Sequence, residues 1–533
     1  VIRARTSPRD LLDAARALHH LGLTRPAHLA SAVRAVGLPF LRGHRSPALL
    51  VRLWARSAPD RPALIHPGGA FTFHALDLEV DALASGLEQA GLRRGDRVVT
   101  ALRNRPEALL LPLALGRLGA VAVATSWQTT APELRRVAAT TGARRLFLDA
   151  ECPAADAELP VPVTRVGPDP ASLAPFRRPG AVRPRASGRA GLVLPTSGTT
   201  GTPKAALRRF GTGDVVQLLR FLEATPLTAG GVHLAVCPLF HATAVGFVSM
   251  AWLLGSTVVL PTSFEPTGFL DDVARYRVTD TAVVPTMLHR LLALGPDALR
   301  RRDRSSLRAV FCGGAPLSAR LATAALDALG DVLYGFYGST ETGVVTLATP
   351  SDLRRRPTTV GRPLPGVTLR VLDPSGAEVP RGEIGELCVR DPSMIDTYLG
   401  DEDAARGSLR GGLFSVGDLA RVDREGLVYL VGRSRDVIAT GGVKVHAAEV
   451  EEALQAHPAV RGAAVVGVPD DEWGQRLVAF VEPEGEPPAP EELVRWCRGR
   501  LEGPKVPREV RVVAALPRTA TGKVLKASLL PPG

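Results

Sequence analysis

From about residue 60 to residue 312, short apolar runs alternate with Ala/Leu/Arg-rich stretches whose apolar residues recur at helical spacing. The runs are Val98–Leu102, Ala120–Thr125, Arg145–Leu148, Val193–Thr196, His233–Cys237, Thr257–Leu260, Thr281–Val284 and Ala309–Cys312. Neighbouring parallel strands need a long crossover, and a helix between each pair supplies one. The alternation therefore predicts an α/β fold with largely parallel sheets. A chain of 533 residues exceeds a single compact core, so more than one domain is expected. After about residue 360 the pattern changes to short strands and turns such as Pro374-Ser-Gly376 and Arg424-Glu-Gly426. Beyond Gly432-Arg-Ser-Arg-Asp436 a tail of about a hundred residues reads as helices at 447–456 and 491–501 and strands at 461–467, 476–482 and 510–515. The expected layout is an N-terminal helical extension (1–45), a large domain (46–432), a hinge (433–436) and a small α+β C-terminal domain (437–533). The Pro/Arg/Gly-rich segment 167–190 reads as an exposed loop.

The balance of 45% hydrophobic and 22% charged residues is that of a soluble globular protein. Apolar runs near 108–125 and 245–261 are interrupted by Arg117 and by Gly or Ser, and read as buried elements rather than membrane spans. No secretory pattern is visible at the start of the sequence. The five cysteines are widely spaced without a CxxC pair, which suits a reducing cytosol and argues against a disulfide framework and a zinc site. The formal charge of +12 is spread along the chain, and aromatic residues are only 5%, so no nucleic-acid platform is expected. Five of the 65 basic residues are lysines: Lys204, Lys444, Lys505, Lys523 and Lys526. In so arginine-rich a chain, a retained lysine points to a need for a compact, flexible ammonium. They lie in GTPKAA, GGVKVH, GPKVP and TGKVLK.

The stretch Pro195-Thr-Ser-Gly-Thr-Thr-Gly-Thr-Pro-Lys204 has the chemistry of a phosphate cradle. Thr196, Ser197, Thr199 and Thr200 supply hydroxyls, Gly198 and Gly201 let backbone N–H groups approach, and Lys204 adds charge. The spacing is not that of a Walker loop. This stretch resembles the phosphate-loop signature of the adenylate-forming superfamily, which includes acyl- and aryl-CoA ligases, peptide-synthetase adenylation domains and luciferases. Further matches follow in the family's order: Phe311-Cys-Gly-Gly-Ala-Pro-Leu317, Tyr334-Gly-Phe-Tyr-Gly-Ser-Thr-Glu-Thr-Gly343, Ser415-Val-Gly-Asp-Leu419, Gly432-Arg-Ser-Arg-Asp436 and Leu516-Pro-Arg-Thr-Ala-Thr-Gly-Lys523. The resemblance covers about 45–530.

The resemblance implies an acyl-CoA synthetase fold and chemistry, with ATP/AMP, Mg2+ and coenzyme A as its cofactors. By family role, Lys523 reaches the carboxylate and the α-phosphate during adenylation, Thr340 donates to the α-phosphate, and Glu341 holds Mg2+. Tyr337 and Gly338 lie against adenine, with Gly314, Ala315 and Pro316 lining the adenine and acyl pocket. Asp418 and Arg433 bind the ribose. Arg435 fills the hinge position, where the family usually has Lys or Asp. The small domain then swings, withdrawing Lys523 and bringing up Thr440-Gly441-Gly442-Val-Lys444, whose glycines admit the pantetheine arm. Amino-acid-activating relatives carry an aspartate in a Phe-Asp sequence, and this chain has His241 in Pro238-Leu-Phe-His-Ala242 instead. A hydrophobic acid is therefore expected, with Gly246, Gly313 and Gly335 as sites that leave room for bulk. His241 reads either as a gate on the thiol channel or as a packed ring. Free CoA is the expected acceptor, and a homodimer is compatible with the sequence.

Two departures bear on the reaction. The family's loops commonly continue Pro-Lys-Gly, and this chain has Pro203-Lys204-Ala205. If glycine serves a positive φ there, alanine costs about 1–2 kcal/mol, and adenylation would be the impaired half of an enzyme that mainly thioesterifies a preformed acyl-AMP. Ala447 stands where proline is usual. Other readings are an amino-acid adenylation domain, a luciferase-like oxygenase and a non-catalytic basic binding protein.

Overall fold

A computed structural model of the chain describes residues 46–178, 190–195, 205–395, 397–399, 401–440, 442–519 and 522–530. The expected N-terminal extension, the phosphate loop Thr196–Lys204 and Gly441 lie outside the described residues.

Two layered sheets form the large lobe. Among the described residues, one has nine strands, of which six are parallel: Leu333–Ser339, Ala309–Cys312, Asp280–Val283, Val232–Leu234, Thr257–Val259 and Pro62–His66. Antiparallel strands close both of its edges, Gly69–Thr72 at one and Gly343–Ala348 with Arg362–Pro363 at the other. The second sheet runs Thr397–Leu399, Ala205–Arg208, Gly191–Pro195, Val121–Ala124, Arg97–Ala101, Arg145–Asp149, Val163–Val166 and is parallel from Gly191–Pro195 onward. All eight expected strands are present, because each is an apolar run buried on both faces, as parallel strands between helices must be.

Helix Pro106–Leu118 carries Arg117 into this interior at 6% exposure. The charge is tolerated because Asp77 and Asp81 flank its guanidinium, and Arg52 completes the cluster with a 3.2 Å contact to Asp77. Helix Ala242–Leu253 and strand Thr257–Val259 account for the second apolar run, and Trp252 Nε1 donates to Ala63 O at 3.1 Å. No helix among the described residues is long and apolar enough to cross a membrane. The expected loop at 167–190 is not wholly a loop: Pro170–Phe176 is a 3₁₀ turn. It is anchored because Phe176 buries its ring edge-on against Phe147, with centroids 5.4 Å apart. Residues 179–189 lie outside the described residues.

An antiparallel sheet follows, with Thr368–Leu372, Gly385–Arg390, Leu413–Val422 and Leu409–Arg410, and with Val428–Arg433 paired to Leu413–Val422. A single 3₁₀ turn, Ser434–Asp436, leads out of it into a separate sheet. That sheet orders Val443–His446, Val437–Thr440, Gly474–Pro483, Val460–Asp470, with Glu509–Val512 parallel to Gly474–Pro483. Helices Ala447–Gln455 and Pro490–Arg498 cover it, burying Val450, Leu454, Leu493 and Cys497 in a core of its own. The small lobe touches the large one at several points, among them Arg320 Nη1 to Pro458 O at 3.1 Å.

Candidate active site

Between the lobes runs a continuous cleft of about 2750 Å³. Its floor is the turn joining strands Leu333–Ser339 and Gly343–Ala348. Ser339 Oγ accepts from the N–H groups of Glu341 (3.2 Å) and Thr342 (3.1 Å), which fixes the turn. Gly338 is required on packing grounds, since a Cβ there would come within 2.0 Å of Gly343 O. The turn presents Thr340 and Glu341 to the cleft. Arg208 Nη2 donates to Thr340 O at 3.2 Å, and Ile395 N–H donates to Glu341 O at 2.9 Å. Tyr398 donates its hydroxyl to Glu341 Oε1 at 2.9 Å. Burial, followed by the Glu341 charge, pushes the Tyr398 hydroxyl far up, so it remains a donor.

Tyr337, on strand Leu333–Ser339 of the nine-stranded sheet, meets Asp418 and Arg433 of the antiparallel sheet. Asp418 and Arg433 are direct cross-strand partners, with Arg433 Nε 3.0 Å from Asp418 Oδ1. Tyr337 donates its hydroxyl to Asp418 Oδ2 at 2.6 Å. Burial and then the Asp418 charge raise the Tyr337 hydroxyl well above its ordinary value. A carboxylate has about four acceptor positions, so Asp418 retains capacity for ligand hydroxyls beyond these two bonds. Gly314 (φ +79°), Ala315 and Pro316 follow strand Ala309–Cys312 and line the same cleft.

Lys523 enters from the small lobe. Its loop is tied by Thr519 N–H to Lys523 O (2.8 Å), Gly522 N–H to Thr519 O (2.8 Å) and Arg518 Nη1 to Gly522 O (3.0 Å). Gly522 is left-handed (φ +79°) and lies against the large lobe, where a Cβ would meet Thr286 Oγ1 at 2.8 Å. Burial, then the nearby Arg433 guanidinium, pulls the Lys523 ammonium down to about 8, with Asp418 partly opposing. Side chains from well-separated stretches of the chain thus converge on one cleft: Tyr337, Thr340, Glu341, Asp418, Arg433 and Lys523 all line it. Arg435 lies in the 3₁₀ turn, 3.5 Å from Asp436. Gly442 (φ +80°) and Lys444 belong to the hairpin at the outer edge of the small sheet and are exposed, with nothing within 4 Å of a Cβ at Gly442.

His241, the residue before helix Ala242–Leu253, lines the cleft together with Phe240, Val245 and Phe247. Its ring is tilted on Phe240 at 4.3 Å, burial pulls it down to about 4, and Nε2 makes no hydrogen bond among the described residues. The imidazole is therefore neutral at physiological pH. The three expected space-making glycines differ. A Cβ at Gly246 meets nothing within 4 Å. At Gly335 it would face Ala348 and Leu353, on the core side. Gly313 is a correction: the Phe336 ring fills the space over it, 2.6 Å from a Cβ, so this glycine accommodates Phe336 rather than a ligand.

Ala205 also differs from the strained alternative. It begins strand Ala205–Arg208, paired to Pro195 on one side and Leu399 on the other, and its φ is not positive. The left-handed penalty does not arise there. Tyr398 and Arg208 were not anticipated. Arg208 follows closely on the phosphate loop, and that proximity was its signal; Tyr398 carried none.

The donor set fits a magnesium nucleotide. Glu341 is a single hard carboxylate, which suits Mg2+ that takes its remaining ligands from phosphates and water, and Asp418 with Tyr337 suits a nucleoside. The chain matches the AMP-binding enzyme family over residues 51–399 and the AMP-binding enzyme C-terminal domain over 449–523. It is 38% identical over 487 residues to a feruloyl-CoA synthase of Amycolatopsis sp., covering 89% of this chain and 96% of that protein. It is 32% identical to an indoleacetate–CoA ligase of Aromatoleum aromaticum, covering 88% and 96%. Among solved structures, the o-succinylbenzoate CoA synthetase of Bacillus subtilis in complex with its acyl-adenylate intermediate superposes with a TM-score of 0.81 at 27% identity, over 91% of this chain and 98% of that one. The chain belongs to the AMP-binding, adenylate-forming enzyme family, among its AMP-forming acid–thiol ligases.

Proposed function

We propose that this protein converts a hydrophobic, ring-bearing carboxylic acid into its CoA thioester through an acyl-adenylate. The observation that carries the reading is the placement of Lys523 beside Arg433 and Asp418, in a cleft that Phe240, neutral His241, Val245 and Phe247 also line. A carboxylate is a poor electrophile. Its oxygen attacks the α-phosphate of ATP, a P–O bond forms, and pyrophosphate departs with its electron pair. Both reactants are anions, so the step needs fixed positive charge and donors at the developing charge. Lys523 supplies the ammonium and Thr340 a hydroxyl. Tyr337, Asp418 and Arg433 orient the nucleoside. Glu341, steadied by Tyr398, would hold Mg2+, which neutralises phosphate charge.

For the second half, the small lobe turns about 433–436, Lys523 leaves, and the Gly441-Gly442 loop takes its place. The CoA thiol attacks as thiolate, a C–S bond forms, and AMP leaves with the carbonyl C–O electrons. His241, in place of the amine-pairing aspartate, favours an uncharged acyl skeleton. The relatives named for feruloyl and indoleacetyl substrates support an aromatic ring at the far end. The extended, doubly paired Ala205 supports a working adenylation half. Incubating protein with Mg-ATP, CoA and phenylpropenoic, indoleacetic and fatty acids tests the reading. Pyrophosphate and thioester from the aromatic acids are expected; thioester only from supplied acyl-AMP would revive the impaired-adenylation alternative.

A further inference from the structure

Gln217 is a buried amide with no hydrogen-bond partner among the described residues. It sits in helix Thr212–Glu223, is 6% exposed, and neither its Oε1 nor its Nε2 makes a hydrogen bond there. Buried side-chain amides are nearly always paired, and an unpaired one sacrifices the hydration of one acceptor and two donors. Its neighbours on the helix show where it faces. Asp214, Gln217, Leu218 and Phe221 all line the cleft, and their i, i+3, i+4, i+7 spacing places them on one helical face. Asp214 is already occupied, accepting from Gly211 N–H at 2.8 Å. Phe221 packs edge-on against Phe247 (5.8 Å) and tilted against Phe311 (5.4 Å). Opposite, helix Ala242–Leu253 contributes Gly246, whose missing side chain leaves open space. Beyond Asp214, Gln217 is thus an uncharged amide on an otherwise aromatic and aliphatic stretch of that helix's cleft face.

We infer that Gln217 is a specificity-determining residue that hydrogen-bonds a polar substituent, a hydroxyl or carbonyl class of group, carried on the ring of the acid. This rests on the ligase reading above and deepens it. An apolar acid would leave the amide unpaired in the complex as well. A hydroxylated ring satisfies it with one O–H donated to Oε1 or one lone pair accepting from Nε2. A site that hydrogen-bonds its ligand rejects the analogue lacking that group, because the protein's own polar atom is then stranded.

The test compares two acids that differ by one hydroxyl, 3-phenylpropenoic acid and its 4-hydroxy analogue, in wild type and in Gln217→Met. Methionine keeps the length and flexibility of the side chain and removes the amide. Wild type is expected to prefer the hydroxylated acid by about ten- to a hundredfold in kcat/KM, the worth of one buried hydrogen bond. The preference should collapse toward unity in Gln217→Met. Because that variant removes an unpaired polar group, its melting temperature without ligand should equal or exceed that of wild type. An unchanged preference in Gln217→Met overturns the assignment, as does an equal loss on both acids, which would mean Gln217 serves the shared carboxylate or the fold. Thioester formation by wild type reports separately on the ligase reading. If none forms from either acid, the thermal shift decides: a larger stabilisation of wild type by the hydroxylated acid, lost in Gln217→Met, upholds the assignment, and equal shifts overturn it.

Discussion

The two glycine loops of the small lobe carry the same kind of residue in opposite circumstances. The loop that ends in Gly522-Lys523 is pressed against the large lobe, with Gly522 on Thr286 and Lys523 half-buried beside Arg433. The hairpin holding Gly442 and Lys444 faces solvent on the outer edge of the sheet. Both glycines are left-handed, at φ +79° and +80°, so the backbone is equally prepared in each. The difference lies in what each lysine meets. A partly desolvated ammonium next to a guanidinium is costly, and the arrangement is reasonable where anionic substrates are to share that charge. An exposed loop with open space over its glycine is what a second arrangement of the lobe would bring inward.

The largest effect should come from removing the docked ammonium. Lys523→Ala is predicted to slow acid-dependent pyrophosphate release by about a hundred- to a thousandfold, the range for losing one preorganised charge stabiliser, while thioester formation from supplied acyl-AMP and CoA stays close to wild type. Equal loss of both would erase the contrast between the loops. Gly442→Trp should do the reverse, slowing thioester formation from acyl-AMP by about tenfold or more through bulk and a left-handed backbone that disfavours a side chain. Normal CoA turnover in that variant would take the hairpin out of the reaction.

A pH series sharpens the contrast further. Lys523 is held near 8, so it carries its charge below that value and loses it above. The kcat/KM for pyrophosphate release should therefore fall as pH rises through about 8, approaching tenfold per unit, and bound anions should shift the kcat profile upward. Lys523→Arg, always charged, should remove that fall. The smallest effect belongs to Ala205→Gly. With alanine already extended and paired, glycine adds only chain entropy, costing about 0.5–1 kcal/mol, and pyrophosphate release should change by less than about twofold. A tenfold gain would show that the methyl obstructs the loop.

The parallel sheets were legible because their strands are short, mainly apolar runs that a two-sided interior accepts. The small lobe was legible because Gly432–Asp436 interrupts the pattern and new periodicities follow. The site was legible where chemistry is carried by residue type in a short motif, as in Ser339-Thr340-Glu341 and Thr519–Lys523. It was not legible where contacts join distant segments. Nothing local in Tyr398 announces that its hydroxyl reaches Glu341, and nothing in Gln217 announces how its amide is surrounded. Gly313 misled because a glycine in a sequence leaves room without saying for whom, and in the fold the occupant is Phe336. The fate of residues 170–176 was hidden for a similar reason, since one phenylalanine's docking site lies on a distant strand.

The three-residue strand Thr397–Leu399 has one further bearing on the enzyme. It zips onto Ala205–Arg208 at the exit of the phosphate loop, while its Tyr398 grips Glu341. The segment that would feel the triphosphate and the carboxylate that would feel the cation are therefore joined by one short brace. If that brace couples the two, nucleotide and magnesium should each raise the protein's affinity for the other by the same factor.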